Sequence, residues 1–90
     1  DIQSLRALTY QMAARYDQGE DIRVEAGLIK LTSMDWGARC LDHGIQIHGA
    51  MGESLELPLT LFYRYLRHGQ IGGGTSEIQR MQIARKLLKD

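Results

Sequence analysis

Apolar residues recur at three- and four-residue steps along most of the chain, which is typical of helices that bury one face. In the first segment this stripe consists of Ile2, Leu5, Leu8, Met12 and Tyr16. The polar run 17–21 ends the segment, and Gly19 within it suits a helix C-terminus. Because this connection is short, we expect the next helix to be an antiparallel neighbour.

The second segment is the longest, and its apolar residues lie on two faces. One stripe consists of Val24, Leu28, Leu31, Ala38, Leu41 and Ile45, and a second of Ile29, Trp36 and Cys40. Two apolar faces predict a central helix packed on both sides, or one packed on its own domain and on a partner. Gly27, Gly37 and Gly44 interrupt this helix, each at a cost of about 1 kcal/mol relative to alanine. We expect neighbouring helices to approach closely at these glycines.

Two further helices complete the predicted fold. The run Gly49–Gly52 is expected to stop the second helix, and Pro58 fits the first turn of a short third helix ended by Gly69. The buried side of the third helix is predicted to be Leu59, Phe62 and Leu66. The fourth helix is predicted from about Ser76 to the chain end, with a stripe of Ile78, Met81, Ala84 and Leu88. Strand-like alternation never lasts, so residues 1–90 are predicted to form one all-α domain, an up-down four-helix bundle.

Composition excludes several classes of function. The formal net charge of +0 argues against a nucleic-acid-binding domain, which usually carries a basic stripe. No apolar run approaches the roughly 18–20 residues needed to cross a membrane. A single cysteine, Cys40, rules out an intramolecular disulfide and fits a reducing compartment, the cytoplasm or the mitochondrial matrix. His43 and His48 lie five apart, so no metal site is predicted. Without a signal-like segment after Asp1, we expect the chain to be a piece of a longer protein.

The most informative segment is the glycine-rich run 71–80, Ile-Gly-Gly-Gly-Thr-Ser-Glu-Ile-Gln-Arg. Its three consecutive glycines leave the backbone free to bend and allow another molecule to approach closely. Thr75 then supplies a side-chain oxygen that suits the N-cap of the following helix. Such a helix start presents unpaired N–H groups and the positive end of the helix dipole, which favour an anion such as phosphate.

A second segment, 44–52 (Gly-Ile-Gln-Ile-His-Gly-Ala-Met-Gly), makes the first one specific. Joined by a proline-led helix, the two segments resemble the C-terminal helical domain of the acyl-CoA dehydrogenases over essentially the whole chain. The resemblance implies an enzyme with an N-terminal helical domain, a middle β-domain and this bundle. Such an enzyme carries FAD, oxidises acyl-CoA thioesters to 2,3-enoyl-CoA and passes electrons to an electron-transfer flavoprotein. It also implies a homo-oligomer, a dimer of dimers assembled through the bundle.

The resemblance assigns site residues position by position. The implied cofactor-binding residues are Gln46, His48, Gly49, Ala50, Thr75 and Glu77. Gln46 and the backbone of 48–50 would meet the ADP part of an FAD held by a neighbouring subunit, and the backbone of Gly74 would line the thioester site. Three of them also have a purely structural explanation: Gln46 as a helix-surface residue, Gly49 as a helix stop, and Glu77 as a favourable charge in the first helical turn.

The chain departs from the family pattern at the catalytic position. Many members carry a glutamate two residues before the threonine, which removes the α-proton of the thioester, a task suited to a carboxylate whose pKa is raised by a water-poor pocket. Here that position is Gly73, so this chain is predicted to contain no catalytic base. Either the base lies on an earlier helix, upstream of Asp1, which we prefer, or the protein is an inactive partner subunit or a non-catalytic oligomerisation domain.

Two smaller departures concern packing. The run Arg64-Tyr65-Leu66-Arg67 stands where the family usually has Arg-Asp-Ala-Arg, and is expected to alter packing near the active-site turn and hence acyl-chain preference. Ala50 replaces the more usual glycine, a change that is tolerable unless its φ is positive.

Overall fold

The computed structural model describes residues 1–89, which form five helices and no strand. The helices are α1 (Ile2–Asp17), α2 (Arg23–His48), α3 (Ala50–Glu53), α4 (Leu59–Gly69) and α5 (Ser76–Leu88). The all-α prediction is confirmed, and α1, α2, α4 and α5 are the four predicted helices. The last helix does not continue to the chain end, since Lys89 is extended; Asp90 lies outside the described residues.

Glycine ends α1 as predicted. Gly19 has a φ of +86°, the left-handed conformation in which glycine commonly terminates helices. Its N–H donates to Tyr16 O at 2.9 Å, and the N–H of Glu20 donates to Arg15 O at 3.1 Å. These two bonds satisfy carbonyls that the helix end would otherwise leave free. The Arg15 and Glu20 side chains also pair, at 3.0 Å.

The junction after α2 is only partly as predicted. Gly49 ends α2 with a φ of +63°, but residues 50–53 then form the one-turn helix α3 instead of a simple stop. Gly52 N–H donates to Gly49 O at 2.9 Å. A Cβ built at Gly52 would lie 2.5 Å from Ile45 O, so only glycine lets α3 fold back so closely on α2. No non-glycine residue among 1–89 has a positive φ, so Ala50 is tolerated without strain.

The long helix α2 is the centre of the fold, as its two apolar faces predicted. Each of the other four helices packs against α2, whereas within residues 1–89 α1, α4 and α5 do not pack on one another. The helices α1, α4 and α5 therefore form an open arrangement around α2. Two glycines of α2 mark close approaches of α4 and α5, because a Cβ built at Gly37 would lie 2.9 Å from Leu66 Cδ1 and one at Gly27 would lie 2.5 Å from Gln79 Oε1.

This open arrangement leaves little buried apolar surface. The Cα radius of gyration is 15.6 Å, whereas a compact domain of this length has a value of about 12 Å. Met12, 5% exposed, is the one buried apolar side chain among the described residues. The predicted stripe of α1 is buried only in its middle, since Ile2 and Tyr16 are 62% and 67% exposed.

The apolar stripe identified in the last helix stays uncovered within the described residues. All four residues of its stripe are exposed in α5: Ile78, Met81, Ala84 and Leu88. Gln79 and Ile83 are half-buried instead. In α4, Leu59 and Leu66 are half-buried as predicted, but Phe62 is exposed. The cause is the open arrangement, because α4 and α5 each have a single long helix to pack against and their other faces stay uncovered.

Candidate functional site

The glycine-rich run forms a tight turn between α4 and α5. Gly73 and Gly74 have φ values of +68° and +99°, which other residues adopt only with strain. On the α4 side of the turn, Gly72 N–H donates to His68 O at 2.9 Å. The two ends of the turn are joined by Ser76 N–H, which donates to Gln70 O at 3.0 Å. We call residues 71–75 the glycine turn.

Thr75 caps α5, as its sequence position predicted. Its backbone is extended, and its Oγ1 accepts a hydrogen bond from Ile78 N–H at 3.1 Å. Glu77 lies in the first turn of α5 and is exposed, where its charge complements the helix dipole. The N–H groups of Gly73, Gly74 and Thr75 have no acceptor within residues 1–89. The start of α5 thus presents several unsatisfied backbone donors.

The structure adds one residue that the sequence analysis missed. Lys30, on α2, donates from Nζ to Gly72 O and to Gly74 O. A Cβ built at Gly73 would lie 3.5 Å from the same ammonium nitrogen. The only signal in the sequence was a lysine between Ile29 and Leu31, two residues that belong to the packed faces of α2.

A polar cavity of about 230 Å³ lies beside the start of α5. Its lining comes from α2, α4, the glycine turn and α5, and comprises Leu31, Asp35, Arg67, Gln70, Ile71, Thr75, Ser76, Glu77 and Arg80. Two arginines and two carboxylates face it, so the cavity carries both signs of charge. Ligand pockets usually measure about 300–1,000 Å³, so this cavity accommodates only part of a large ligand.

The second motif lies at the far end of α2. Gln46, His48, Gly49 and Ala50 are all exposed. The ring Nδ1 of His48 lies 2.8 Å from Gly44 O. From Lys30 to Gln46 the helix rises by ~24 Å at 1.5 Å per residue. Within one chain the structure therefore does not bring this motif together with Thr75, Glu77 and Gly74.

A separate charged groove of about 580 Å³ runs between the start of α2 and the end of α5, lined by Asp21, Arg23, Val24, Gln82, Arg85, Lys86 and Lys89. Hydrogen bonds from Arg23, the shortest at 2.8 Å, lower the pKa of Asp21 to about 2. Among residues 1–89 no cluster of His, Cys, Asp or Glu is suited to a metal ion. In the same part of the chain, every helix lacks the length or apolarity required to cross a bilayer.

Comparison with known proteins identifies the architecture. Residues 1–88 match the model of the acyl-CoA dehydrogenase C-terminal domain. The (R)-benzylsuccinyl-CoA dehydrogenase of Thauera aromatica is 37% identical over 100% of this chain and 22% of its own length. The mitochondrial short-chain specific acyl-CoA dehydrogenase of Rattus norvegicus is 36% identical over 98% of this chain and 21% of its own length.

A solved structure shows the same fold. This structure, described for the electron transferring flavoprotein of Acidaminococcus fermentans, superimposes with a TM-score of 0.92 at 27% identity, covering 99% of this chain and 23% of that chain. The chain thus spans about a fifth of the length of the curated relatives described above. With its all-α fold, its glycine turn and a family match from residue 1 to residue 88, the chain belongs to the acyl-CoA dehydrogenase family, as its C-terminal domain.

Proposed function

We propose that this chain is the C-terminal domain of a longer, FAD-dependent acyl-CoA dehydrogenase that oxidises acyl-CoA thioesters to 2,3-enoyl-CoA. The observation that carries the proposal is the glycine turn, with its unsatisfied N–H groups and its Thr75 cap, in a chain that matches the family domain over residues 1–88. The electrons pass to an electron-transfer flavoprotein. Cys40, which is free, fits a reducing compartment, the cytoplasm or the mitochondrial matrix.

The residues present fit a flavin dinucleotide. When bound, FAD accepts a hydride from the thioester. The positive end of the α5 dipole suits its anionic oxygens, with the Thr75 and Glu77 side chains beside them and the Gly74 backbone lining the thioester site. Gln46 offers an amide that both donates and accepts, and its exposure leaves it open to a ligand held by another chain.

We further infer that the protein works as a homo-oligomer, a dimer of dimers. The distance of ~24 Å along α2 supports a role for Gln46 and 48–50 at the FAD of a neighbouring subunit, while Thr75 serves a different part of a cofactor. The exposed apolar faces of α4 and α5, which include Phe62, Ile78 and Met81, support further contacts with the rest of the protein or with a partner.

The catalytic base belongs outside this chain in our proposal, on an earlier helix of the full-length protein. Gly73 occupies the usual position of the base and carries no proton acceptor. Its φ of +68° makes it a position adapted to glycine. The same observation favours a second candidate function, a partner subunit that binds flavin without dehydrogenating the thioester.

Native purification of the full-length protein tests both candidates. A yellow protein whose flavin absorbance is bleached by an acyl-CoA thioester supports the dehydrogenase. A yellow protein that no thioester bleaches supports the inactive partner subunit. A colourless protein contradicts both and leaves a helical oligomerisation domain without a cofactor.

A further inference from the structure

One ammonium group holds the glycine turn from across the fold. Lys30 Nζ donates to Gly72 O and Gly74 O, residues 42 and 44 positions further along the chain. Within residues 1–89 these are the only hydrogen bonds between α2 and the glycine turn. Hydrogen bonds from a charged donor are among the stronger ones in proteins, so this contact is well suited to order the turn.

The two bonds determine where two backbone donors point. In a planar trans peptide the C=O and the N–H lie on opposite sides. Gly72 O shares its peptide with the N–H of Gly73, and Gly74 O shares its peptide with the N–H of Thr75. Residues 1–89 contain no cis peptide bond. With both carbonyls held by Lys30, both N–H groups face away from α2.

These are donors that the fold itself does not use. The N–H groups of Gly73 and Thr75 have no acceptor within residues 1–89. Without the lysine, no hydrogen bond from α2 within residues 1–89 would restrain a turn whose glycines have the greatest conformational freedom of any residue. Lys30 therefore orders the glycine turn and leaves the free N–H groups of Gly73 and Thr75 directed away from α2.

We propose that Lys30 is a positioning residue for the site at this turn, aligning the N–H groups of Gly73 and Thr75 with an oxygen of the bound thioester. Lys30 itself acts only through the two carbonyls it holds. The inference rests on the proposed function, because the thioester is the substrate proposed above.

The test compares three variants of the full-length protein. Lys30→Met removes the donors and keeps the length of the side chain, Lys30→Arg keeps donors, and Arg39→Met is the matched control. Arg39 is another cation of α2 with a partner across the fold, Asp1 at 3.0 Å. We expect Lys30→Met to lower kcat/KM for the thioester about 10²-fold, since small misplacements at a reaction centre cost that much. The flavin content and the Tm of Lys30→Met should stay near those of wild type. Lys30→Arg should recover part of the lost kcat/KM, and Arg39→Met should match wild type.

Two results would overturn the proposal. One is a Lys30→Met protein with wild-type kcat/KM. The other is a Lys30→Met protein that loses flavin and thermal stability together with activity and is not rescued by Lys30→Arg, because that pattern belongs to a merely structural role.

Hydrogen exchange gives a readout that needs no activity. The bond from Ser76 N–H to Gln70 O closes the turn, so the peptide covering 70–78 should exchange faster in Lys30→Met than in wild type or Arg39→Met. Unchanged exchange would overturn the proposal. If the wild-type protein binds no flavin and oxidises no thioester, the proposed function fails, and this comparison still decides whether Lys30 orders the turn.

Discussion

Leu66 of α4 lies directly over Gly37 of α2, so close that a Cβ at position 37 would come within 2.9 Å of Leu66 Cδ1. The pair accommodates Leu66, one of the two residues at which the run 64–67 is predicted to depart from the family pattern. A leucine where the family usually has alanine adds volume to α4, and the missing side chain of Gly37 provides room for it. The effect of Leu66 is therefore on the contact between α2 and α4.

The first prediction follows from this contact. Gly37→Ala should lower the Tm of the full-length protein, because overpacking costs about 1–3 kcal/mol and outweighs the gain of about 1 kcal/mol in helix propensity. Leu66→Ala should also lower the Tm, and the double variant should lose less than the sum of the two. The matched control is Gly44→Ala, whose Cβ would meet only Leu59 Cδ2 at 4.0 Å and should not destabilise. Equal Tm values for Gly37→Ala and Gly44→Ala would contradict the prediction.

Gly73 carries the second prediction. Its φ of +68° makes any side chain unfavourable by about 1–2 kcal/mol, so Gly73→Glu should lower the Tm and should not increase thioester oxidation. Gly19→Ala is the control, since Gly19 has a φ of +86° and open space around it. Both variants should lose stability, but only the change at Gly73 should reduce turnover. A Gly73→Glu protein more active than wild type would show that the base belongs at this position after all.

The third prediction separates the two roles of Thr75. Thr75→Ala removes the cap to Ile78 N–H and should cost about 1 kcal/mol, whereas Thr75→Ser and Thr75→Asp keep a capping oxygen. If Thr75 also faces the cofactor, Thr75→Asp should retain less flavin than Thr75→Ser at similar Tm, because its carboxylate repels an anionic ligand. Flavin absorbance after gel filtration measures this. Equal retention in the two capped variants would limit Thr75 to the cap.

Gln46 is the subject of the fourth prediction. Because it is exposed at the end of α2, Gln46→Ala should leave the Tm near wild type, and surface substitutions of this kind usually change stability by less than about 0.5 kcal/mol. Flavin retention by the assembled oligomer should nevertheless fall. Gln11→Ala, an exposed glutamine of α1, is the control and should retain flavin fully. Similar retention by the two variants would remove Gln46 from the cofactor site.

The fifth prediction concerns the 90-residue chain by itself. With Met12 as the one buried apolar side chain among the described residues, the isolated chain should be helical but only marginally stable. Circular dichroism should show a broad unfolding transition at low temperature, and the dye ANS should bind to the exposed apolar surface. A sharp transition above about 60 °C from a monomer would contradict this, since that is near the upper end for compact mesophilic domains.

The sequence by itself determined the local features of this protein. Gly19 and Gly49 end helices and Thr75 begins one because these effects depend on backbone conformation and on neighbours within four residues. The glycines of α2 also indicated close contacts, which the structure confirms at Gly27 and Gly37. The two glycine-containing segments were enough to indicate the family, which the match over residues 1–88 confirms.

Only the tertiary structure decided which surfaces meet. The apolar stripe of α5 is regular in the sequence, yet all four of its residues are exposed: Ile78, Met81, Ala84 and Leu88. Gln79 and Ile83 are half-buried instead. Periodicity shows that a helix has an apolar face but not which neighbour, if any, covers it. The bonds from Lys30 to the glycine turn join residues more than 40 positions apart, and no local pattern encodes such a contact. It arises because α2 is long enough to pass beside the start of α5 and the end of α4 at once.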